Sequence, residues 1–257
     1  MSGRVDVLGV PVDAVDMDQA LDAVDRLVRR PGQVPAVVLA INPEKVCLIR
    51  GDARLRAIFS KADLLVPDGV GVTIAIRWLH GSTVGRVPGV DLMVRVCEAA
   101  PEAGYRLFVF GGREPVNARA VEALRQRCPG IEIVGREHGY VDEAGMPALV
   151  DRINASGADI LFVGLGSPRQ EFWIEAWLPK LRVKVCQGVG GSLDAVSGAV
   201  PRASLAWRRL GLEWLYRLMT QPHRGRRQVR LVRFAAAVLL GRLRLAAGVR
   251  PAPARRP

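Results

Sequence analysis

The sequence predicts an α/β fold: a Rossmann-like, mostly parallel sheet with helices on both faces, followed by a basic helical appendage. Three observations carry this expectation. The apolar run 36–41 is continuous rather than alternating, as a strand covered on both faces requires, and 105–110 and 159–163 read as further strands. Segments with helical spacing separate these runs, so strand and helix alternate along the chain. Glycine follows most of the runs, leaving open backbone at one edge of the sheet. With 257 residues and 49% hydrophobic content, the chain can bury one large domain that carries an appendage.

The elements follow in order. Residues 5–15 alternate loosely and read as a strand or hairpin. Leu21, Val24, Leu27 and Val28 place a helix over 17–30. The strand 36–41 ends in Asn42-Pro43-Glu44, a turn opening a helix that is expected to continue to about Lys61. Residues 62–71 then read as a short buried strand, a proline-fixed turn that presents Asp68, and glycines that open a helix over 70–79. Asp68 can be the N-cap of that helix, or a functional carboxylate at the carboxyl end of a strand, where α/β sheets hold their ligands. Arg86-Val87-Pro88-Gly89-Val90-Asp91 leads into a helix to Ala100. The strand 105–110 ends in Gly111-Gly112, followed by a helix over 116–126. A short strand at 131–134 runs into Gly135-Arg136-Glu137-His138-Gly139-Tyr140, and a helix covers 142–155. The strand 159–163 ends in Gly164-Leu165-Gly166-Ser167-Pro168-Arg169-Gln170-Glu171, before a helix over 172–180. The strand 183–186 ends in Gln187-Gly188-Val189-Gly190-Gly191.

Charge divides the chain. The net charge is +12, yet residues 1–200 carry 23 basic and 24 acidic side chains, whereas residues 201–257 carry 14 arginines and one acid, Glu213. The expected organisation is an α/β domain over 1–200, a basic amphipathic appendage over 201–250 and a disordered Pro/Ala/Arg-rich tail over 251–257. In the appendage, Arg226, Arg230 and Arg233 share one helical face, and Val232, Ala236, Leu239 and Leu243 share another. Such a helix fits an anionic membrane surface, or it packs as an ordinary surface helix. No apolar run reaches the roughly 18 residues of a membrane-spanning helix, and no signal peptide is read. The four cysteines, Cys47, Cys97, Cys128 and Cys186, lie apart in apolar segments and read as reduced thiols of a cytoplasmic protein. His80, His138 and His223 are isolated, so no metal site is expected.

The individual motifs are weak. Gly164-Leu165-Gly166-Ser167-Pro168-Arg169 lacks the third glycine of a dinucleotide fingerprint, which sets aside a nicotinamide cofactor but leaves a loop able to cradle an anion. Gln170 and Glu171 also read as helix-start caps. Arg86 can pair with a phosphate or with a nearby carboxylate.

Taken in order, Asn42-Pro43-Glu44, Pro67-Asp68-Gly69, Arg86-Val87-Pro88-Gly89, the 164–171 loop, Gly188-Val189-Gly190-Gly191-Ser192-Leu193-Asp194 and Gly211-Leu212-Glu213-Trp214-Leu215 resemble the WecG/TagA/CpsF glycosyltransferases over about residues 5–235. The resemblance implies a cofactor-free and metal-independent inverting enzyme. Such an enzyme moves a sugar from a UDP-sugar to a polyprenyl-diphosphate-linked acceptor at the inner face of the plasma membrane, in cell-surface polysaccharide synthesis. It implies Asp68 as catalytic base, with Asn42, Arg86 and Gln170 lining the same pocket and Tyr140 and Asp194 contacting the nucleotide. The glycines of the strand-end loops, Gly111, Gly112, Gly164, Gly166, Gly190 and Gly191, are expected beside the substrate. The C-terminal arginines resemble the family's membrane-docking appendage; Arg202, Arg217, Arg224, Arg227 and Arg230 are candidates for the diphosphate or the membrane. Inverting transfer needs one base for the acceptor hydroxyl and positive groups for the departing diphosphate, which arginines supply. Two departures stand out: Ala40, where the family often has threonine, and Arg202-Ala203-Ser204, where it has RAP. The first leaves the donor sugar open, with N-acetylmannosamine, its uronate or glucose among the candidates. The rivals are a basic nucleic-acid binder without catalytic activity, which the neutral body argues against, and a soluble UDP-sugar epimerase, which leaves the tail without a purpose.

Overall fold

The computed structural model describes residues 3–32, 34–200, 204, 207 and 225–246; within the last segment, side chains are described for 230–243 and 245. The main sheet has six parallel strands in the order β4-β3-β8-β7-β5-β6: β3 (Ala36–Ile41), β4 (Leu64–Pro67), β5 (Arg106–Gly111), β6 (Glu132–Glu137), β7 (Ile160–Gly164) and β8 (Val185–Gly188). Every residue of β3, β4 and β7 is buried, as the continuous apolar runs require. The chain passes from β3 outward to β4, then crosses to the other half of the sheet with β5. All strands point the same way, so every strand-end loop opens on one edge, the edge where such sheets bind ligands.

Two apolar layers cover the sheet. One holds α2 (Pro43–Gly51), α3 (Ala53–Lys61), α4 (Val70–His80), α7 (Met146–Ala155) and α8 (Arg169–Trp177), packed through side chains such as Ile49, Phe59, Ile76, Ile153 and Ile174. The other holds α1 (Met17–Arg29), α5 (Gly89–Ala103), α6 (Glu114–Arg127) and the short α9 (Ser192–Val196), through Val24, Met93, Leu124 and Leu193. An antiparallel hairpin of β1 (Arg4–Val7) and β2 (Val10–Asp13) leans on β4, where Asp13 Oδ2 accepts the Leu65 N–H at 2.7 Å.

One expectation changes, and two open alternatives close. The helix expected over 43–61 is two helices, because Asp52 leaves the helical conformation and its Oδ1 caps α3 by accepting the Leu55 N–H at 3.0 Å. Asp68 is not the cap of α4: Gly69, at φ 91°, holds the N-cap position, and no side chain caps the helix. Gln170 and Glu171 do not cap α8; both side chains are buried.

The basic helix, α10 (Gly225–Ala246), packs across α2 and α4. Phe234 and Val238 are buried against the body, and Gly241 lies where a Cβ would stand 3.2 Å from Leu79. The docked face is therefore not the apolar face picked out in the sequence. Val232, Leu239 and Leu243 stay exposed, as do Trp78 and Ile74 of α4, and Leu239 and Trp78 line one cleft. No helix among the described residues is long and apolar enough to cross a membrane. The four cysteines carry no disulfide.

Candidate active site

The ends of β3 and β4 bring the first group of residues together. The Asp68 N–H donates to Ile41 O at 2.7 Å, and the Val87 N–H donates to Pro67 O at 2.8 Å. These two bonds stitch the Asn42, Asp68 and Arg86 loops into one wall. Asn42 is the N-cap of α2: its Oδ1 accepts the Lys45 N–H at 2.9 Å. Among the described residues its amide NH2 has no hydrogen bond. Asp68 and Arg86 are half-buried. The first residue of α5 closes the wall, since a Cβ on Gly89 would lie 3.2 Å from the Ala40 Cβ and 3.9 Å from Asp68 Oδ2. The wall at Ala40 is apolar where a threonine would offer a hydroxyl.

The ends of β7 and β8 supply the second group, beside β3. Gln170 is fully buried; its Oε1 accepts the Gly190 N–H at 2.8 Å, and its Nε2 donates to Glu171 Oε1 at 3.1 Å. The same carboxylate oxygen meets Lys45 Nζ at 3.0 Å, so α2 and α8 are joined by a buried ion pair. Gly188 is glycine because Gln170 Nε2 and Leu39 Cδ2 each lie 2.7 Å from where its Cβ would stand. Around Gly190 and Gly191 the nearest side-chain atoms to a built Cβ are 3.9 and 3.6 Å away, the latter being Asp194 Oδ2. Gly166 faces open space. These three glycines leave room for a ligand.

Gly111 and Gly164 do not leave such room. A Cβ on Gly111 would lie 2.4 Å from the Gly164 backbone, and one on Gly164 would lie 2.8 Å from Leu193. Their bareness lets strand ends pack against protein, and Gly112 follows them, its N–H donating to Gly164 O at 3.0 Å. The turn after β6 folds back over this junction, with the Gly139 N–H on Gly112 O at 2.8 Å. It carries Tyr140, 66% exposed at the rim, whose N–H donates to His138 Nδ1 at 3.2 Å. Beneath it, burial pushes the Glu137 carboxyl up, but hydrogen bonds from the Arg152 guanidinium and the His138 N–H win and hold it below the usual carboxylate range.

Of the tail candidates, Arg230 is described: its Nη1 meets Glu44 Oε1 at 2.9 Å, tying α10 to the Asn42-Pro43-Glu44 turn. The Cys47 thiol donates to Arg230 O at 3.3 Å. Phe234 reaches the glycine turn after Asp68, 3.6 Å from where a Gly71 Cβ would stand. Arg202, Arg217 and Arg224, the Arg227 side chain and the tail over 251–257 lie outside the described residues, as does the 211–215 motif.

Sequence reasoning passed over three buried polar residues. Asn117 spans the ends of β5 and β6, with Nδ2 donating to Gly111 O at 2.8 Å and Glu137 O at 2.9 Å. Lys45 was read only as part of a helix. Gln187, on β8, keeps a buried Oε1 without a donor among the described residues. The available signal was position: Asn117 falls in the stripe of Val116, Ala120, Val121 and Leu124, and Lys45 in that of Val46 and Ile49. Among the described residues no group of three His, Cys, Asp or Glu side chains gathers as a metal site.

Comparison with known proteins identifies the family. The model of the glycosyl transferase WecG/TagA/CpsF family matches residues 5–248. A relative from Bacillus spizizenii, an N-acetylglucosaminyldiphosphoundecaprenol N-acetyl-beta-D-mannosaminyltransferase, is 36% identical over 204 residues, covering 79% of each chain. A parallel sheet with its motif residues gathered at one edge, matched by the family model almost end to end, places this chain in the WecG/TagA/CpsF family of glycosyltransferases.

Proposed function

We propose that the protein transfers a hexose of the N-acetylmannosamine type from a UDP-sugar to a polyprenyl-diphosphate-linked sugar, inverting the anomeric centre without a metal. The observation that carries this reading is the placement of Asp68: a half-buried carboxylate at the carboxyl end of β4, released from helix capping by Gly69. Asp68 takes the proton of the acceptor hydroxyl. The hydroxyl oxygen attacks the anomeric carbon from the face opposite the diphosphate. The bond to UDP breaks, and its electron pair leaves with the diphosphate. Asn42, with its Oδ1 held by the Lys45 N–H, offers its NH2 to a sugar hydroxyl. Arg86 and the tail arginines, Arg202, Arg217 and Arg224 foremost, neutralise the departing charge. Tyr140, Asp194 and the open loops at Gly166 and Gly190 receive the nucleotide. From β4 to β7 the edge spans three strand spacings, about 14 Å, which suits an extended nucleotide-sugar.

The acceptor lipid calls for a membrane surface, and the α4–α10 face supports that reading. Trp78, Leu239 and Leu243 are exposed there, and Arg77 and Arg242 join Trp78 and Leu239 in lining an open cleft of about 450 Å³. Apolar side chains rimmed by arginines suit an anionic lipid interface. Duplex nucleic acid is the poorer match, because the arginines alternate with exposed leucines. The test is sugar transfer to acceptor embedded in vesicles with and without anionic lipid. Transfer should rise with anionic lipid. Full activity on a detergent-free soluble acceptor, unchanged by vesicles, sinks the membrane reading.

A further inference from the structure

We propose that Lys45 and Glu171 are positioning residues that set the 188–191 loop through the amide of Gln170; this rests on the reading of that loop as part of the nucleotide-sugar pocket. Three strand-end loops are joined by one chain of contacts. Asn42 holds the Lys45 N–H, the Lys45 ammonium meets Glu171 Oε1, that oxygen accepts from Gln170 Nε2, and Gln170 Oε1 accepts the Gly190 N–H. A glutamine amide can point either way, and here the carboxylate decides. An ionised carboxylate only accepts, so it draws the NH2 end and leaves the oxygen for Gly190. The reversed amide would set oxygen against carboxylate and NH2 against N–H. Gly188 gives up its side chain to make room for this amide.

Stability alone does not account for the pair. Glu171 is fully buried, and its Oε2 finds no donor among the described residues. Lys45 is nearly as buried, with its ammonium 5.6 Å from the centre of the Phe59 ring. Buried ion pairs generally do no better than apolar side chains of the same volume. A polar arrangement that the core does not need, ending on two loops of the site, is what a positioning role requires.

The test compares two double variants that each remove both charges. Lys45→Met/Glu171→Gln keeps an acceptor for the Gln170 amide, and its donor kcat/KM should stay within about tenfold of wild type. Lys45→Met/Glu171→Leu removes the acceptor; its thermal midpoint should stay near that of the wild type, because removing two buried charges offsets the orphaned Gln170 NH2, while kcat/KM drops about a hundredfold. Amide hydrogen exchange at 188–191 should quicken in the Leu variant and not in the Gln variant. Lys45→Arg, which keeps the cation, should behave as wild type. If the Leu variant does not fold, Lys45→Met/Glu171→Met replaces it, the unbranched chain at 171 filling the same space. Activity that simply follows thermal stability across the set, with unchanged exchange at 188–191, overturns the proposal. A wild-type protein that neither binds UDP nor turns over any UDP-sugar would instead overturn the reading of the pocket, and exchange at 188–191 would still decide the positioning claim.

Discussion

Replacing Phe234 by alanine should release α10 from the body. Among the described residues of that helix Phe234 and Val238 are the buried side chains, at 4% and 3% exposure, and each contributes about 1.5–3 kcal/mol by burial. The Arg230–Glu44 pair is partly exposed and adds at most about 1 kcal/mol. The docked helix is thus held by about 3–7 kcal/mol, of which a buried Phe→Ala change removes about 3–5. Little remains to oppose fraying. A loss of about 3 kcal/mol raises the population of the undocked state about a hundredfold, since about 1.4 kcal/mol is a factor of ten. Hydrogen exchange read by mass spectrometry is the assay. Amides of residues 230–243 should exchange about a hundredfold faster, while those of α6, on the opposite face of the sheet, keep their rates. Because Phe234 also touches the turn after Asp68, transfer activity should fall with docking. Unchanged protection of α10 in a variant with an intact sheet would refute the view that Phe234 holds it.

Other outcomes follow from the same geometry. Asn117→Leu leaves the Gly111 and Glu137 carbonyls without their donor and should cost about 3 kcal/mol in denaturant unfolding. Gly188→Ala forces a methyl to within 2.7 Å of Gln170 Nε2 and Leu39 Cδ2; it should cost about 1–3 kcal/mol and lower donor kcat/KM, measured by UDP release. Burial, then the hydrogen bond to Asp25, raises Tyr105 from 10.0 to about 12. The folded state therefore holds this proton after the unfolded state has lost it. The stability it contributes is complete below pH 10 and drains away as pH rises toward about 12, a decline that thermal melts should show and Tyr105→Phe should flatten. Leu239→Glu/Leu243→Glu changes two exposed side chains, so it should leave the thermal midpoint in place and weaken sedimentation with anionic vesicles at least about tenfold.

Much of the framework was legible because its signals are local. The apolar run 36–41 is β3 residue for residue, and Asn42-Pro43 marks the start of α2 as a capping residue and a helix-opening proline should. The break at Asp52 was not legible, since aspartate in a helical stretch can stay exposed or cap, and its spacing does not separate the two. The choice left open at Asp68 shows the same limit: one glycine with positive φ sets the helix start a residue later and keeps Asp68 out of the cap position. Motif order suggested which residues to look for in one site. It did not show that Gln170 bonds a glycine 20 residues later, or that Gly111 and Gly164 fill against each other rather than face a ligand. Those facts depend on strand order, β7 lying between β8 and β5, which no spacing in the chain encodes. The amphipathic stripe of α10 was read correctly as apolar, yet the helix docks by Phe234 and Val238 instead.

The proposed function turns on Asp68 deprotonating the acceptor sugar. The direct measurement is UDP release from a panel of UDP-sugars, with polyprenyl-diphosphate-sugar acceptor in anionic vesicles, for wild type and Asp68→Asn. Loss of a positioned general base should lower turnover by about 10²–10⁴-fold. UDP binding and thermal midpoint should hold, because Asp68 caps no helix. Turnover in Asp68→Asn equal to wild type would contradict the account and remove Asp68 from the chemistry.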